Sequence, residues 1–415
     1  METTNSIATG KSFITVEEAE KIIFSQLREF GLERISLQNA LGRVLAEVIT
    51  ADRDLPPYNR VAMDGIAIKY EAIENGIRNF QIKGVQAAGE QPVEIKAYDE
   101  CIEIMTGAAL PCSTDTIVRY EDVIIENGEA SIERIETASI KKGQNIHYKG
   151  SDKQEAEVLV PIHQIITPSI IATAASVGKS ELLVKQLPKC IVVSTGDELV
   201  GIEQRPNAYQ IRGSNSFCIK AVLKNYGIEA DTIHLPDNEQ LITKELSRCL
   251  DQYDILLLTG GISMGKYDYV PKILEQLSVK KLFHKVQQRP GKPFWFGHYN
   301  QKMIFAFPGN PVSTFLCLHR YFLPWLEACL DLPDKNFFAI LDADIEFSPV
   351  LTYFLQVHLL LNNDGKLLAQ PIKGNGSGDF SSLVEADAFI ELPKDKSCFK
   401  KGEVFRIWPV NKNIL

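Results

Sequence analysis

The sequence predicts a multidomain α/β protein. Its 415 residues are too many for one hydrophobic core, and about two to four domains are expected. From Lys189 onward, short apolar runs alternate with helical patterns, which predicts a parallel sheet covered on both faces. Short alternating segments separated by turn residues occupy residues 64–140, and similar segments follow Pro333. A small β domain is therefore expected on each side of the α/β domain.

The first helix is predicted near the amino end. Thr15-Val16-Glu17-Glu18 has the pattern of a capping box, and apolar residues recur at the helical period as far as Phe30. Gly31 is expected to end this helix. Residues 64–140 then predict a small β domain inserted into the helical one, to which the chain returns near Lys142.

Two later helices have clear start signals. Asp237 is expected to cap the helix that runs to Leu250. Asn310 is expected to cap another helix, with Pro311 at its first position, where the missing N–H costs nothing. Pro324 is expected to kink that second helix.

Four loops rich in glycine or proline adjoin the predicted strands. In the segment 259–265, paired glycines follow an apolar run, and they allow a sharp turn whose N–H groups can approach a phosphate closely. The other three loops are 194–199, 289–293 and 308–313. In one parallel sheet these loops would converge at the edge where open α/β sheets bind ligands. A glycine-rich loop alone is more often an ordinary strand-to-helix turn.

Composition excludes several functional classes. Hydrophobic residues make up 45% of the chain and charged residues 23%, as in a soluble globular protein. The net charge of −9 argues against general binding to nucleic acid or to an anionic membrane, because both need a basic face. No apolar run approaches the roughly 18 residues that span a bilayer, and no signal peptide precedes Thr15, so a cytoplasmic protein is expected. The eight cysteines form no C-x-x-C pair, which favours reduced core residues.

Acidic residues near the loops predict a bridging divalent cation. A carboxylate repels a phosphate, whereas Mg²⁺ binds a few carboxylates together with phosphate oxygens and water. The candidates are Asp64, Asp152, Glu198, Asp237 and Asp268, with Asp237 and Asp268 as the metal ligands. Structural alternatives stay open: Asp237 as a helix cap, Asp152 as a turn residue, and Glu198 as a first-turn residue that stabilises a helix dipole by about 0.3–1 kcal/mol.

Cationic residues complete the predicted site. Arg289 and Lys292 flank a Pro-Gly turn, which holds both side chains in one short loop suited to a phosphate or another tetrahedral oxyanion. Ser313 is expected one turn into the helix capped by Asn310, beside backbone N–H groups that favour an anion. The alternatives are solvated surface cations and an ordinary early-helix serine.

Three upstream motifs join these loops in a family pattern. They are Leu-Pro-Pro-Tyr-Asn-Arg-Val-Ala-Met-Asp-Gly at 55–65, Ile-Met-Thr-Gly-Ala at 104–108 and Asn-Ile-His-Tyr-Lys-Gly-Ser-Asp at 145–152. In this order, over nearly the whole chain, the motifs resemble the molybdopterin molybdenumtransferase family, which includes the bacterial MoeA proteins and the gephyrin E domain. The resemblance implies an elongated helical/β first domain used for dimerisation (1–55 and 141–186), an inserted small β domain (56–140), a three-layer α/β molybdopterin-binding domain (187–332) and a C-terminal small β-barrel domain (333–415).

The resemblance also implies an activity and its site. The family inserts molybdenum from molybdate into adenylylated molybdopterin with release of AMP, in molybdenum cofactor biosynthesis. The implied catalytic residues are Asp268, Glu198, Asp64, Asp152, Asp237 and Thr106, and Mg²⁺ is the implied metal. The implied substrate-binding residues are Gly260, Gly261, Ser263, Gly265, Arg289, Lys292, Pro308, Gly309, Asn310, Pro311, Ser313 and Ser377.

The implied partners follow from the same resemblance. A homodimer is expected, with Thr106 bordering the cleft from the partner subunit. Transient contacts with the adenylyltransferase and with molybdoenzyme maturation factors are also implied, whereas nucleic acid and membrane are not. Two departures from the family pattern stand out: Gln356 occupies a place where an arginine is common, and Arg289 stands where lysine is frequent.

Two other functional classes stay open. Molybdopterin adenylyltransferases and MoaB-like proteins share the glycine-loop domain, but they lack the motifs at 57–65 and 105–108 and the last β domain. A non-catalytic scaffold, in the manner of the gephyrin E domain, is the second alternative. The sequence contains no scaffold linker or partner domain, which favours an enzyme.

Overall fold

The structure, a computed structural model, describes residues 13–133, 135–262 and 269–410. The chain divides into two compact units. The larger unit falls within residues 1–46, 163–167 and 183–415, and the smaller one comprises residues 47–162 and 168–182. Within the described ranges, no helix has the length and apolar character needed to cross a membrane. The finer domain boundaries given above stay predictions.

The larger unit begins with helix α1 (Val16–Phe24) and strand β1 (Leu32–Ser36). The capping box is confirmed, because Thr15 Oγ1 accepts from the Glu18 N–H at 3.2 Å and the Glu18 carboxylate accepts from the Thr15 N–H at 2.9 Å. The expectation that this helix extends to Gly31 is wrong. The helix ends at Phe24 because Ser25 caps the last turn. Phe30 lies outside the helix and packs edge-on against Trp325, with the two ring centres 6.4 Å apart.

The smaller unit is mainly a β domain, as predicted. Gly65, the last residue of the motif at 55–65, lies too close to the neighbouring strand for any larger residue. An added Cβ would lie 2.0 Å from the Val118 carbonyl oxygen. The elements are β2 (Ile49–Thr50), β3 (Arg60–Val61), β4 (Gly65–Ile68), α2 (Tyr70–Glu74), β5 (Asn79–Gln86), β6 (Glu100–Ile104), β7 (Thr116–Arg119), β8 (Ile124–Glu126), β9 (Glu129–Ser131), β10 (Ile146–His147), β11 (Val158–Val160) and α3 (Pro168–Ser176). A six-stranded sheet has the order β7-β4-β6-β5-β9-β8. The chain then re-enters the larger unit through β12 (Glu181–Lys185).

A central α/β domain follows. Its elements are β13 (Cys190–Thr195), β14 (Leu199–Val200), β15 (Ile211–Arg212), α4 (Asn215–Lys224), β16 (Asp231–Leu235), α5 (Glu239–Gln252), β17 (Ile255–Thr259), α6 (Val270–Gln276), β18 (Lys280–His284), β19 (Gln288–Arg289), β20 (Trp295–Tyr299), β21 (Lys302–Phe307), α7 (Pro311–Cys317) and α8 (Leu323–Cys329). The sheet order is β16-β13-β17-β21-β20-β18. The strands β16, β13, β17 and β21 are parallel, as predicted, whereas β20 is antiparallel to both of its neighbours, β21 and β18. The reason is the short turn between β20 and β21, since parallel neighbours need a long crossover.

Helices cover both faces of this sheet. Along β17, Ile255 and Leu257 belong to a core that includes α4 and α7 residues, whereas Leu256 and Leu258 belong to a second core with α5 and α6 residues. Alternate side chains of a strand point to opposite faces, so both faces are buried. The predicted three-layer α/β arrangement is confirmed.

The helix starts differ partly from expectation. Asn238, rather than Asp237, caps α5: it has extended backbone angles, and its side chain accepts from the Leu241 N–H at 3.0 Å. Pro311 begins α7 as predicted, but the Asn310 side chain makes no capping bond. A π-helical segment, residues 318–322, interrupts the helix just before Pro324, where the missing N–H breaks the α-helical hydrogen-bond pattern.

The last domain is a closed β-barrel. Its elements are β22 (Phe337–Leu341), β23 (Ile345–Glu346), β24 (Thr352–Leu361), β25 (Leu367–Pro371), α9 (Phe380–Glu385), β26 (Ala388–Leu392), β27 (Cys398–Phe399) and β28 (Val404–Pro409). The order β24-β25-β22-β28-β26 closes through a pairing of β26 with β24, which confirms the predicted barrel. The short strand β19 of the central domain pairs in parallel with the start of β24, opposite Thr352 and Tyr353. The central domain and the barrel therefore share backbone hydrogen bonds.

One buried cation ties three parts of the larger unit together. Arg320 lies in the π-helical segment and its side chain is 1% exposed. Its terminal nitrogens donate to the Glu20 carboxylate of α1 at 3.2 and 3.3 Å, and its Nε lies 3.2 Å from a carboxylate oxygen of Glu391 in β26. The guanidinium also stacks on Trp408 of β28, 4.1 Å from the ring centre.

We predict that Arg320→Met lowers the free energy of unfolding by about 3 kcal/mol, because it leaves Glu391 without its buried partner. Arg406→Met is the control. Arg406 is 25% exposed and lies 3.7 Å from the same Glu20 carboxylate, so its loss should cost about 1 kcal/mol or less. Urea titrations followed by tryptophan fluorescence measure both values. Equal losses for the two variants would contradict the assigned role of Arg320.

Candidate active site

A cleft of about 780 Å³ lies in the larger unit, where the parallel strands of the central sheet end and the barrel begins. A second cavity of about 830 Å³ adjoins it. The two share their wall residues Thr195, Glu198, Gly260, Gly309 and Asn310. The loops predicted to converge therefore do so: three follow β13, β17 and β21, and the fourth precedes the antiparallel β20 at the same edge.

The glycine turn after β17 forms one wall. Gly260 and Gly261 have φ values of +91° and +64°, in the region that favours glycine. A Cβ on Gly260 would lie 2.5 Å from the Thr195 carbonyl oxygen, and one on Gly261 would lie 2.6 Å from Thr195 Oγ1. Only glycine fits this close approach of two strand ends. Of the predicted residues beyond this turn, Ser263, Gly265 and Asp268 lie outside the described part of the chain.

Two of the predicted carboxylates line the cleft, Glu198 and Asp237. Glu198 folds back over Gly196, where an added Cβ would lie 2.5 Å from a Glu198 carboxylate oxygen. The Asp237 N–H donates to the Asp197 carboxylate at 3.0 Å, which fixes the start of the segment after β16. Sequence reasoning missed Asp197. Within residues 13–133, 135–262 and 269–410, no three His, Cys, Asp or Glu side chains converge to hold a metal.

The cationic loop, residues 289–292, forms the opposite wall. Both Arg289 and Lys292 line the cleft, as the sequence predicts. Beneath them Gln288 is fully buried, donates from Nε2 to the Gly291 carbonyl at 3.3 Å and accepts from the Tyr321 hydroxyl. Burial raises the pKa of Tyr321 well above its ordinary value, so this hydroxyl stays a neutral donor. Gln288 and Tyr321 carry no sequence signal of this role, because only the fold brings them under the loop.

The loop after β21 joins the central domain to the barrel domain. Asn310 Nδ2 donates to the Ser377 hydroxyl at 2.7 Å, and the Val312 N–H donates to the Ser377 carbonyl at 3.1 Å. Pro308, Gly309 and Ser313 also line the cleft, whereas Pro311 lines only the adjoining cavity. The predicted residues of this loop and Ser377 are thus brought together. Sequence reasoning missed Asn215, which donates from Nδ2 to the Gly309 carbonyl at 2.7 Å.

An aspartate organises the glycine-rich segment that carries Ser377. The Asp379 carboxylate accepts from the Asn375 N–H at 2.9 Å and from the Ser381 N–H at 3.0 Å, where it caps α9. These hydrogen bonds, that of Asn375 first, lower the pKa of Asp379 to about 2. Because the pKa of Asp379 is lower in the folded protein than in the unfolded chain, its charged carboxylate stabilises the fold fully above about pH 4. This stabilisation is lost only as the pH falls towards about 2. The segment therefore keeps its cap at neutral pH.

Gln356 of β24 contributes an unusual wall group. Its side chain is 92% buried, and its Oε1 accepts from the Ser382 hydroxyl at 3.1 Å. Its Nε2 is buried and has no hydrogen-bond acceptor among the described residues. Gln356 therefore offers, at the cleft wall, a neutral donor that has no partner among the described residues.

The remaining predicted residues belong to the smaller unit. Asp64 accepts from the Thr106 N–H at 2.6 Å, and this hydrogen bond lowers the pKa of the Asp64 carboxyl. Asp152 lies 2.7 Å from His147 Nε2, and the other ring nitrogen of His147 lies 3.0 Å from the Arg60 guanidinium. Sequence reasoning missed His147 and Arg60. Within this unit the predicted Asp64 and Thr106 therefore meet directly.

Three family models match successive parts of the chain. Residues 14–178 match the MoeA N-terminal region (domains I and II), residues 191–328 match a probable molybdopterin binding domain, and residues 339–410 match the MoeA C-terminal region (domain IV). The matches occur in the order of the motifs and cover most of the described structure.

Individual relatives are similar to this chain over nearly its full length. A molybdopterin molybdenumtransferase from Synechocystis is 37% identical over 395 residues, covering 94% of this chain and 98% of the relative. One from Staphylococcus epidermidis is 30% identical and covers 94% of both chains. The solved structure of a molybdopterin biosynthesis MoeA protein from Pyrococcus horikosii superposes with a TM-score of 0.80 at 26% identity, over 96% of this chain and 99% of that one. The chain belongs to the molybdopterin molybdenumtransferase family.

Proposed function

We propose that the protein transfers molybdenum to molybdopterin in the synthesis of the molybdenum cofactor, the activity for which its relatives are named. The observation that carries this proposal is the cleft itself, where a glycine turn, two carboxylates and two cations face one another at the carboxyl edge of the sheet. In the finer form of the proposal, the pterin arrives adenylylated, molybdate supplies the metal and AMP leaves.

The glycine turn and the carboxylates are assigned to the adenylylated pterin. The backbone of Gly260 and Gly261 lines the cleft, and a glycine turn lets backbone N–H groups approach a phosphate closely. The Gly260 N–H donates to the Phe307 carbonyl at 3.4 Å, so the Gly261 N–H is the donor assigned to the pterin phosphate. Glu198 and Asp237 fit Mg²⁺, which takes few carboxylates and completes its shell with water and phosphate oxygens. When bound, this ion would neutralise charge on the phosphoanhydride. Asp268 remains a predicted third ligand.

The cationic loop is assigned to molybdate. Arg289 and Lys292 supply charged N–H donors on one short loop, which suits a tetrahedral dianion. The Ser313 hydroxyl lies in the first turn of α7, and Gln356 adds a neutral donor. Both substrates would thus be held in one cleft, so the rate enhancement comes from positioning and charge stabilisation.

The activity is tested by release of AMP from adenylylated molybdopterin. The purified protein should release AMP only when both molybdate and Mg²⁺ are present, and a molybdenum-containing pterin should form in equal amount. Consumption of ATP with release of pyrophosphate would instead indicate an adenylyltransferase. If neither reaction occurs, the proposed function fails.

We predict that Lys292→Ala raises the KM for molybdate by about tenfold or more, because a charge-assisted hydrogen bond is lost. The KM for adenylylated molybdopterin should change little, since the glycine turn keeps its contacts. Lys224→Ala, which removes an exposed lysine at the C-terminal end of α4 that pairs with Glu229 and does not line the cleft, is the control and should leave both values unchanged. Equal increases for the two substrates in the Lys292 variant would contradict the assignment.

A second prediction uses the unpaired amide. Gln356→Leu should weaken molybdate binding by about fivefold, because a neutral hydrogen-bond donor is lost from the oxyanion site. The same change should not lower the melting temperature, since Nε2 has no partner to lose among the described residues and Ser382 keeps its hydrogen bond to the Asp379 carbonyl at 2.9 Å. Calorimetric titration and thermal unfolding measure the two effects. A lower melting temperature with unchanged affinity would show a purely structural role.

The proposal also includes a homodimer with composite sites. Asp268 and Thr106 are far apart in sequence, and an isologous interface would let each cleft take one residue from either chain. Asp268→Asn and a bulky Thr106→Trp should each abolish activity alone. Mixed under conditions of subunit exchange, the two variants should regain activity through one intact cleft in each heterodimer. Subunit exchange without recovered activity would place both residues in the same chain.

A further inference from the structure

The two cations of the cationic loop, Arg289 and Lys292, lie beside aromatic rings. Neither Arg289 nor Lys292 forms an ion pair with a carboxylate of the described residues. Each instead faces an aromatic ring: the Lys292 ammonium lies 4.6 Å from the centre of the Phe13 ring, and the Arg289 guanidinium lies 6.0 Å from that of Phe347. An aromatic face attracts a cation through its quadrupole and leaves the charge uncompensated.

The backbone fixes Phe13 in this position. Ile14 forms a parallel bridge with Val286, in which the Ile14 N–H donates to the Lys285 carbonyl at 3.3 Å and the Gln287 N–H donates to the Ile14 carbonyl at 2.8 Å. The Val286 N–H in turn donates to the Lys292 carbonyl at 2.9 Å. The amino-terminal segment is therefore hydrogen-bonded to the same short stretch that closes the cationic loop.

Phe347 is fixed by packing. It is 92% buried and stacks on Tyr353, with ring centres 4.2 Å apart and planes 11° apart. Tyr353 lines the cleft and is paired in register with Arg289 through the β19–β24 ladder. The barrel thus places an aromatic face beside one cation, as the amino-terminal segment does beside the other.

We infer that Phe13 and Phe347 are positioning residues for the oxyanion: they hold Lys292 and Arg289 in the cleft while leaving their charge available to molybdate. A carboxylate in either place would hold the side chain as well, but it would compete with a dianion for the same N–H donors. This inference rests on the proposed function, because it takes the oxyanion at the cationic loop as given. It adds two residues outside the family motifs quoted above.

The test is a double-mutant cycle on molybdate binding, measured by calorimetry without pterin. Phe13→Leu should weaken binding by about two- to fivefold, the size expected of an exposed cation–π contact, and Phe13→Trp should retain the wild-type affinity. In a Lys292→Met background, Phe13→Leu should have no further effect. Lys285 provides the matched control, because its ammonium lies 5.4 Å from the same ring. In a Lys285→Met background the full effect of Phe13→Leu should persist.

The same cycle pairs Phe347→Leu with Arg289→Met, with melting temperatures recorded for every variant. Phe13→Leu and Phe347→Leu should also raise the KM for molybdate while leaving kcat and the KM for adenylylated molybdopterin unchanged. An unchanged affinity in the Phe13→Leu variant, or the same loss with and without Lys292, would overturn the inference. Absence of molybdate binding by the wild-type protein would instead remove the oxyanion assignment, and with it the basis of this inference.

Discussion

The backbone pairing of β19 with β24 is the constraint on which the cleft depends. β19 is only two residues long, Gln288 and Arg289, yet it belongs to the central domain by sequence and to the barrel sheet by hydrogen bonding. The cationic loop that follows therefore cannot shift without disturbing the barrel. Gln288 also holds the loop in place, because its buried side-chain amide forms hydrogen bonds both to the Gly291 carbonyl and to the Tyr321 hydroxyl. Two domains thus fix the cationic loop.

Around this loop the structure leaves polar groups unsatisfied that a stability-optimised protein would pair. Thr195 Oγ1 and Gln356 Nε2 are both buried at the cleft wall with no hydrogen-bond partner among the described residues, and such groups cost about 1–3 kcal/mol each. The Arg320 cluster differs in its charges, because two carboxylates lie beside the buried guanidinium, although its Nε forms no hydrogen bond among the described residues. Among the described residues, the charge of Arg320 is neutralised where the domains are held together, whereas Arg289 and Lys292 have no carboxylate partner at the cleft.

The sequence predicted the architecture well because strand ends, glycine turns and barrel hairpins are local patterns. For the same reason the sequence correctly placed Glu198 and Lys292 at the cleft, because each lies in a loop rich in glycine or proline at the end of a strand. It failed where tertiary contacts decide. The helix after Thr15 ends at Phe24, where Ser25 caps its last turn, and Phe30 packs on Trp325 outside the helix. Asn238, rather than its neighbour Asp237, has the extended backbone angles of a cap. Gln288, like Phe13, acquires its role only through pairing with distant segments, which no local pattern reveals.

The bridge between Ile14 and Val286 has a consequence for the order of folding. These residues are separated by more than half of the chain, and long-range pairings form late because loop closure must precede them. During synthesis the amino-terminal segment leaves the ribosome first, but its partner strand follows only after the smaller unit and most of the central sheet have been made. β24 appears later still. A nascent chain can thus complete the cationic loop only after β24 has emerged, because β24 supplies the pairing partner of β19.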